Sequence, residues 1–172
     1  MFRKATSSDI DAINSIYLAI HTEEENDRAS TGWKRDIYPT RKTAEDSVKL
    51  SEMFVCEKDG KIIAAAKINK TQEKEYANIN WKYISPADKV MVIHTLAVSP
   101  ALKGNGIGTA FIEFYENYAK ELGCSCLRLD TNEKNTAARA LYKKLGYIES
   151  GIIPTVFNGI SGVNLVCLEK NI

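Results

Sequence analysis

The chain has 172 residues, 44% of them hydrophobic and 26% charged, which suits one folded domain over residues 1–172 and excludes a disordered or fibrous polypeptide. Its 23 basic and 22 acidic residues leave a net charge of +1, so no electrostatic footprint for nucleic acid or an anionic membrane is present. No apolar run approaches the roughly 20 residues of a membrane span, and Met1-Phe2-Arg3-Lys4 leads into polar sequence without a signal peptide, so a cytoplasmic location is expected.

The spacing predicts a first strand over Phe2 to Ala5. Thr6-Ser7-Ser8-Asp9 fits a capping box in its Asp variant, and Ile10, Ile13, Ile16, Tyr17 and Ile20 form one face of the helix that follows. His21 falls at that helix's end, as a capping or surface residue, and Glu23 to Arg28 reads as a solvated charged loop. Thr40 can cap a second helix, Arg41 to about Leu50. Phe54 to Glu57, the turn Asp59-Gly60 and Ile62 to Ile68 read as a β-hairpin. Thr71 to Lys82 is polar before it turns aromatic at Tyr76 and Trp81, and Ser85 to Asp88 is a turn.

Val90 to Val98 is apolar on both faces, the mark of a central strand. A long helix follows, expected to bury Ile107, Ala110, Phe111, Phe114, Tyr118 and Leu122 and to stop at Gly123. Cys126 to Asp130 is the next strand, and a strand–helix–strand order makes it the parallel neighbour of Val90–Val98 by a right-handed crossover. A helix over about Asn135 to Leu145 ends at Gly146. Tyr147 to Gly151 and Val163 to Glu169 are final strands, with Asn158-Gly159 and Ser161-Gly162 as turn signals. Cys124-Ser125-Cys126 is too tight for a zinc ligand pair and no second pair exists, so no metal is expected and Cys56, Cys124, Cys126 and Cys167 read as reduced, buried thiols.

The most informative stretch is Lys103-Gly104-Asn105-Gly106-Ile107-Gly108, which joins the central strand to the long helix. Glycines let backbone N–H groups approach an anion, and a helix N-terminus adds unpaired donors and a partial positive charge. A P-loop needs GxxxxGK[ST], and no Lys follows these glycines. A dinucleotide fingerprint needs Gly or Ala in its sixth place, where the two possible registers put Thr109 or Phe111.

What remains, [Gln/Arg]-x-x-Gly-x-Gly with Lys103 in the first place, resembles the pyrophosphate loop of the GNAT N-acetyltransferase superfamily. Three other segments resemble that family in the same order: Phe2 to Thr6 before an amphipathic helix, His94-Thr95-Leu96-Ala97-Val98-Ser99-Pro100 at the central strand's exit, and Asn135 to Tyr147 in the pattern N-x-x-A-x-x-L-Y-x-K-x-G-[F/Y]. Lys103 departs from the family's Gln or Arg, keeping charge while losing the planar fork.

The resemblance implies a mixed α/β fold of the GNAT type: a central, mostly antiparallel sheet with one splayed parallel pair and helices on both faces. It implies acetyl-CoA as co-substrate, an amine as acceptor and direct transfer between them in a ternary complex, by a monomer or a homodimer. Backbone groups of Leu96, Ala97 and Val98 would meet the pantetheine arm and acetyl carbonyl. Lys103, Gly104, Asn105, Gly106, Ile107, Gly108 and Thr109 would surround the pyrophosphate. Asn135 and Ala138 would complete the coenzyme site, Asn135 alternatively as a helix cap. Tyr142 is the expected general acid, or packs beside Leu141 and Leu145.

Neutralising a lysine-like amine of pKa ~10.4 at pH 7 costs roughly 4 kcal/mol, so a base is needed. His94 is the candidate, on the expectation that it shares a face with Leu96, with a satisfied core histidine as the alternative. Asp130 and Asn132 could line the cleft or cap the next helix. By analogy with the family, the amine pocket forms from the Glu23 to Pro39 segment, the Trp81 region and the final hairpin, with Trp33, Tyr38 and Trp81 as candidate walls. The other reading is a non-catalytic acyl-CoA-binding sensor or partner-binding module that keeps the loop without turnover.

Overall fold

A computed structural model describes all residues, 1–172. Its strands are β1 (Phe2–Lys4), β2 (Met53–Lys58), β3 (Lys61–Asn69), β4 (Val90–Val98), β5 (Cys126–Asn132), β6 (Ile148–Phe157) and β7 (Ile160–Asn171). Its helices are α1 (Ile10–Glu25), α2 (Arg41–Lys49), α3 (Ile107–Glu121) and α4 (Thr136–Lys144). The strands form one sheet in the order β1-β2-β3-β4-β5-β7-β6. Every neighbouring pair is antiparallel except β4 and β5, which the α3 crossover makes parallel.

Local chemistry sets the helix starts. The Asp9 carboxylate accepts from the Thr6 N–H at 2.7 Å and from the Thr6 hydroxyl at 3.0 Å, and the Arg3 guanidinium donates to both its oxygens. That pairing holds the Asp9 carboxyl at about 2, below the usual carboxylate range. From there α1 runs through Glu25, longer than its apolar face suggests, so Glu23 is helical rather than part of a loop. His21 is buried within it and its Nε2 lies 2.9 Å from the Pro39 carbonyl. Neither a surface nor a capping position describes it. At the start of α2 the Thr43 hydroxyl accepts from the Thr40 N–H.

Helices cover both faces of the sheet. On one, Phe111, Ile112 and Tyr115 of α3 and Tyr142 of α4 pack on Phe54, Ala64, Met91, Ile93, Leu127 and Leu129. On the other, Ile13, Ile16, Tyr17 and Ile20 of α1 with Ala44 of α2 pack on Met53, Val55, Ala65 and Ala97. The buried stripe of α3 runs through Ile112 and Tyr115 rather than Leu122, which is 47% exposed. Its start is fixed by the long N-terminal turn, so the last predicted position falls past the face.

The second half of the α1 face carries no α-helix, only short 3-10 turns such as Lys74–Asn78. Tyr76, Ile79, Trp81 and Tyr83, from residues 70–89, cover Val90, Val92, Cys126, Leu165 and Cys167 instead. Fully buried Glu169 fastens this cover by accepting from the Lys82 N–H (2.6 Å), the Tyr83 N–H (3.1 Å) and the Ser150 hydroxyl (2.6 Å). Its register partner Arg128 lies 4.0 Å from the Trp81 ring centroid and donates to the Tyr83 carbonyl and to Gln72. The four cysteines are buried and free.

Two departures from regular pairing open the site. Parallel pairing between β4 and β5 ends at Ile93 and Leu129, while β5 continues along β7 as far as Asn132 and Leu165. The strands therefore separate past that point. In β4, the register against β3 slips between Lys67–His94 and Ala65–Ala97, an extra residue on β4. Thr95, within the slip, has φ +54°, a left-handed conformation that is strained for a β-branched residue. β6 and β7 make a longer hairpin than the sequence indicates. Asn158 and Gly159, both at positive φ, form its two-residue turn. Ser161-Gly162 lies inside β7, not in a turn.

Candidate active site

The separated ends of β4 and β5 open into a cleft of about 730 Å³. One end is built by the glycine loop. Gly104 and Gly106 have φ of +85° and +74°, and a Cβ at either would meet nothing within 4 Å. Their freedom from side chains answers to backbone shape and an open face, not to packing. Gly108 differs: a Cβ there would lie 3.3 Å from Leu141, so its glycine lets α3 approach α4.

The first internal bond at the α3 start is Ala110 N–H to the Gly106 carbonyl. The N–H groups of Gly104, Gly106, Ile107, Gly108 and Thr109 have no protein acceptor, and all five residues line the cleft. Such a row of unpaired donors at a helix N-terminus fits a pyrophosphate. Asn105 does not belong to it: its N–H bonds the Leu102 carbonyl at 3.3 Å and its residue is not on the cleft wall. Lys103, Leu96, Val98, Asn135, Ala138 and Tyr142 line the same end. Ala97 does not, because the β4 slip turns it into the α1 core with no exposure.

Asn135 caps α4, its side chain accepting from the Ala138 N–H at 3.2 Å. Tyr142, two turns along, is buried except where it borders the cleft. Desolvation holds its phenol protonated far above neutral pH, with nearby Asp130 adding to the effect. No protein group engages that hydroxyl.

His94 lines the cleft but is committed elsewhere. Its Nδ1 lies 3.1 Å from Glu73 Oε1 and its Nε2 lies 3.0 Å from Asn69 Oδ1. The amide orientation is fixed, because Asn69 Nδ2 donates to Glu52 and Asn69 Oδ1 accepts from the Thr71 N–H. Both ring nitrogens already lie within hydrogen-bond distance of a protein oxygen, so neither is free toward the cleft. The bond from His94 lowers the carboxyl of Glu73 below its usual range. The β4 slip also separates His94 from Leu96: His94 pairs with Lys67, opposite Met53 on the α1 face, whereas Leu96 packs with the α3 core. The expectation of a shared face fails at that one inserted residue.

Asp130 is the first β5 residue past the last parallel pair. It lines the cleft, and its Oδ2 accepts from the Tyr76 hydroxyl at 2.8 Å. It caps no helix. Burial pushes its carboxyl up to about 6, against the opposing pull of the Tyr76 bond and of His94.

Trp33 and Tyr38 of the α1–α2 loop line this end, and the Tyr38 hydroxyl bonds that of Thr95. Trp81 is not on the cleft; it packs under β4 and β5 against Tyr76 and Arg128. Glu73, Phe157, Ile160, Val163 and Leu165 complete the wall. The resemblance placed the final hairpin at the amine pocket without choosing its residues, because the cleft-facing side of those strands has no local signature, and Glu73 was missed because it stands in an aperiodic polar stretch.

The model of the Acetyltransferase (GNAT) family matches residues 11–147. This chain belongs to the GNAT family. An uncharacterized N-acetyltransferase of Methanocaldococcus jannaschii is 27% identical over 88% of this chain and 62% of its own length. One of Bacillus subtilis is 26% identical over 58% of this chain and 60% of its own. The chain spans about three-fifths of the length of these curated relatives. Among solved structures, a GNAT-family acetyltransferase of Streptococcus agalactiae superposes with a TM-score of 0.80 at 25% identity, over 100% of this chain and 95% of that one. The YncA protein of Salmonella typhimurium, solved with its cofactor acetyl-CoA, shares the fold with a TM-score of 0.69 at 17% identity, over 99% and 92% of the two chains.

Proposed function

We propose that this GNAT chain transfers acetyl from acetyl-CoA to a primary amine by direct attack in a ternary complex. The observation that carries the reading is the row of five unpaired N–H groups at the start of α3, opening onto a cleft that runs into the gap between β4 and β5. Acetyl-CoA supplies an acetyl group activated as a thioester. The loop N–H groups with the partial charge of α3 would hold its pyrophosphate, and Lys103 would add a positive charge beside them. Gly104 and the 106–109 segment would act through backbone alone, Asn105 through the shape of the turn.

In the gap, the amine nitrogen forms a bond to the carbonyl carbon as the carbon–sulfur bond breaks. Asp130 is the group best suited to take the ammonium proton, directly or through water. Its carboxyl, raised to about 6, is ionised at neutral pH yet close enough in affinity to accept a proton. His94, with both ring nitrogens held by Glu73 and Asn69, is suited instead to orienting Glu73. Tyr142 holds its proton at any physiological pH and has no competing partner, which suits it to protonate the departing thiolate.

Calorimetric titration with acetyl-CoA, with ATP and NAD as controls, tests the donor. Micromolar binding of acetyl-CoA alone is expected, and absence of binding would overturn the reading. Tyr142→Phe is expected to lower kcat at unchanged acetyl-CoA affinity. Tight binding with no transfer to any amine would favour the non-catalytic acyl-CoA-binding alternative.

A further inference from the structure

The two ends of the cleft differ in charge. Its basic lining residues, Arg28, Lys103 and Lys144, belong to the glycine-loop end. Lys103 is part of the loop, and Glu23, which holds Arg28 through two bonds of 2.7 and 2.8 Å, feels the charge of Lys103. Lys144 closes α4, whose Leu141 packs against Gly108. At the other end the ionisable groups are Glu73, Asp130 and His94, and His94 is spent on Glu73. No lysine or arginine lines that end. An ammonium entering it is attracted. A carboxylate entering beside the amine meets two acidic side chains, and the lysines that act on Glu73, Lys67 and Lys74, stand outside the lining.

The same end is roofed. The α1–α2 loop crosses from the end of β5 to the tip of the β6–β7 hairpin, making a close contact at each side. Gly32 lies so near the Asn132 side-chain amide that a Cβ would collide with it. Ile37 lies 3.3 Å from where a Cβ of Gly159 would stand. The loop is fastened from below: Glu24 accepts from the Thr31 N–H (2.9 Å), the Thr31 hydroxyl (2.8 Å) and the Gly32 N–H (2.9 Å). Beneath it, Tyr38 packs with an apolar wall of Phe157, Ile160 and Val163, and Trp33 meets Tyr38 edge to face. An extended polypeptide needs an open groove, and the roof closes that course.

We infer that the acceptor is a small primary amine carried on a compact apolar body, without a carboxylate beside the amine, in preference to a free amino acid or a polypeptide N-terminus. The inference rests on the proposed acetyl transfer, and the test separates the two. The purified chain is first titrated with acetyl-CoA. Release of free coenzyme A thiol is then followed with 3-methylbutylamine against leucine, with benzylamine against phenylglycine, and with a ten-residue peptide bearing N-terminal leucine. Each amine differs from its paired amino acid by the carboxylate alone. The expected result is a kcat/KM at least tenfold higher for one or both amines than for the matched amino acid and the peptide. Equal or faster transfer to an amino acid or the peptide would overturn the inference while leaving acetyl transfer standing. So would acetyl-CoA binding with no transfer to either amine. Failure to bind acetyl-CoA would overturn the proposed function itself.

Discussion

Asp130 carries two opposite demands. Its pKa of about 6 lies above the ordinary aspartate value of about 3.9, so the folded state favours the protonated form. The stability this gives is full below pH ~4 and is lost as pH rises through about 6. Activity has the reverse dependence, since a base must be ionised. The rate limited by Asp130 is expected to rise with pH through about 6 and level above it. Asp130→Asn is expected to reduce kcat by about 10²–10⁴-fold and to abolish that acid limb, while its thermal midpoint at pH 8 is no lower than that of the parent chain. A fall in midpoint with the acid limb intact would assign Asp130 a structural task instead. His94→Ala is expected to keep the acid limb, because its ring is bound to Glu73 and Asn69.

Among the elements, the α1–α2 loop has its 31–32 stretch fastened by a single side chain. Removing the Glu24 carboxylate leaves Thr31 and Gly32 without their three bonds. Hydrogen bonds to a charged group are worth about 1.5–3 kcal/mol each at most, enough to free the loop without unfolding the sheet. Glu24→Ala is expected to raise the acceptor KM and to speed proteolysis within residues 26–39, with acetyl-CoA affinity unchanged. A parallel loss of coenzyme affinity would show that the loop also serves the donor end.

What the sequence made legible at this scale is the local part. The glycine turn, the caps at Thr6 and Thr40 and the parallel crossover depend on residues adjacent in the chain, and period and spacing report them. The β4 slip escaped because Thr95 is a β-branched residue with nothing in its identity to mark a left-handed backbone. A strand read with period 2 then places His94 and Leu96 together, and the inserted residue separates them. Trp81 was misplaced for a related reason. An aromatic residue in an aperiodic stretch carries no signal of which side it covers, and here Arg128, 47 positions away, holds it under the sheet.

In the whole molecule, one half of the α1 face is closed by irregular chain where the other half has helices. Such chain satisfies only some of its own N–H groups, and Glu169 serves those of Lys82 and Tyr83. Glu169→Ala leaves the Lys82 and Tyr83 N–H groups and the Ser150 hydroxyl without their acceptor. The expected cost is about 2–4 kcal/mol, read as a lower urea midpoint, while Glu169→Gln recovers part of it. An unchanged midpoint would mean that the 70–89 cover contributes little to folding. Binding of acetyl-CoA at 100 times its Kd is expected to add about 2.7 kcal/mol, visible as a raised thermal midpoint.

The donor and acceptor ends also come from different stretches of the chain. Apart from the Glu23–Arg28 pair, the residues lining the glycine-loop end fall within 96–144, one continuous segment inside the 11–147 span shared with the family. The acceptor end is assembled from residues scattered between Trp33 and Leu165, and its hairpin wall lies beyond that span. Inheritance can therefore act on the two ends separately. On the proposed function, substitutions in the hairpin or the α1–α2 loop redirect the choice of amine while the coenzyme end descends unaltered, so that a lineage changes its acceptor without having to reinvent the transfer.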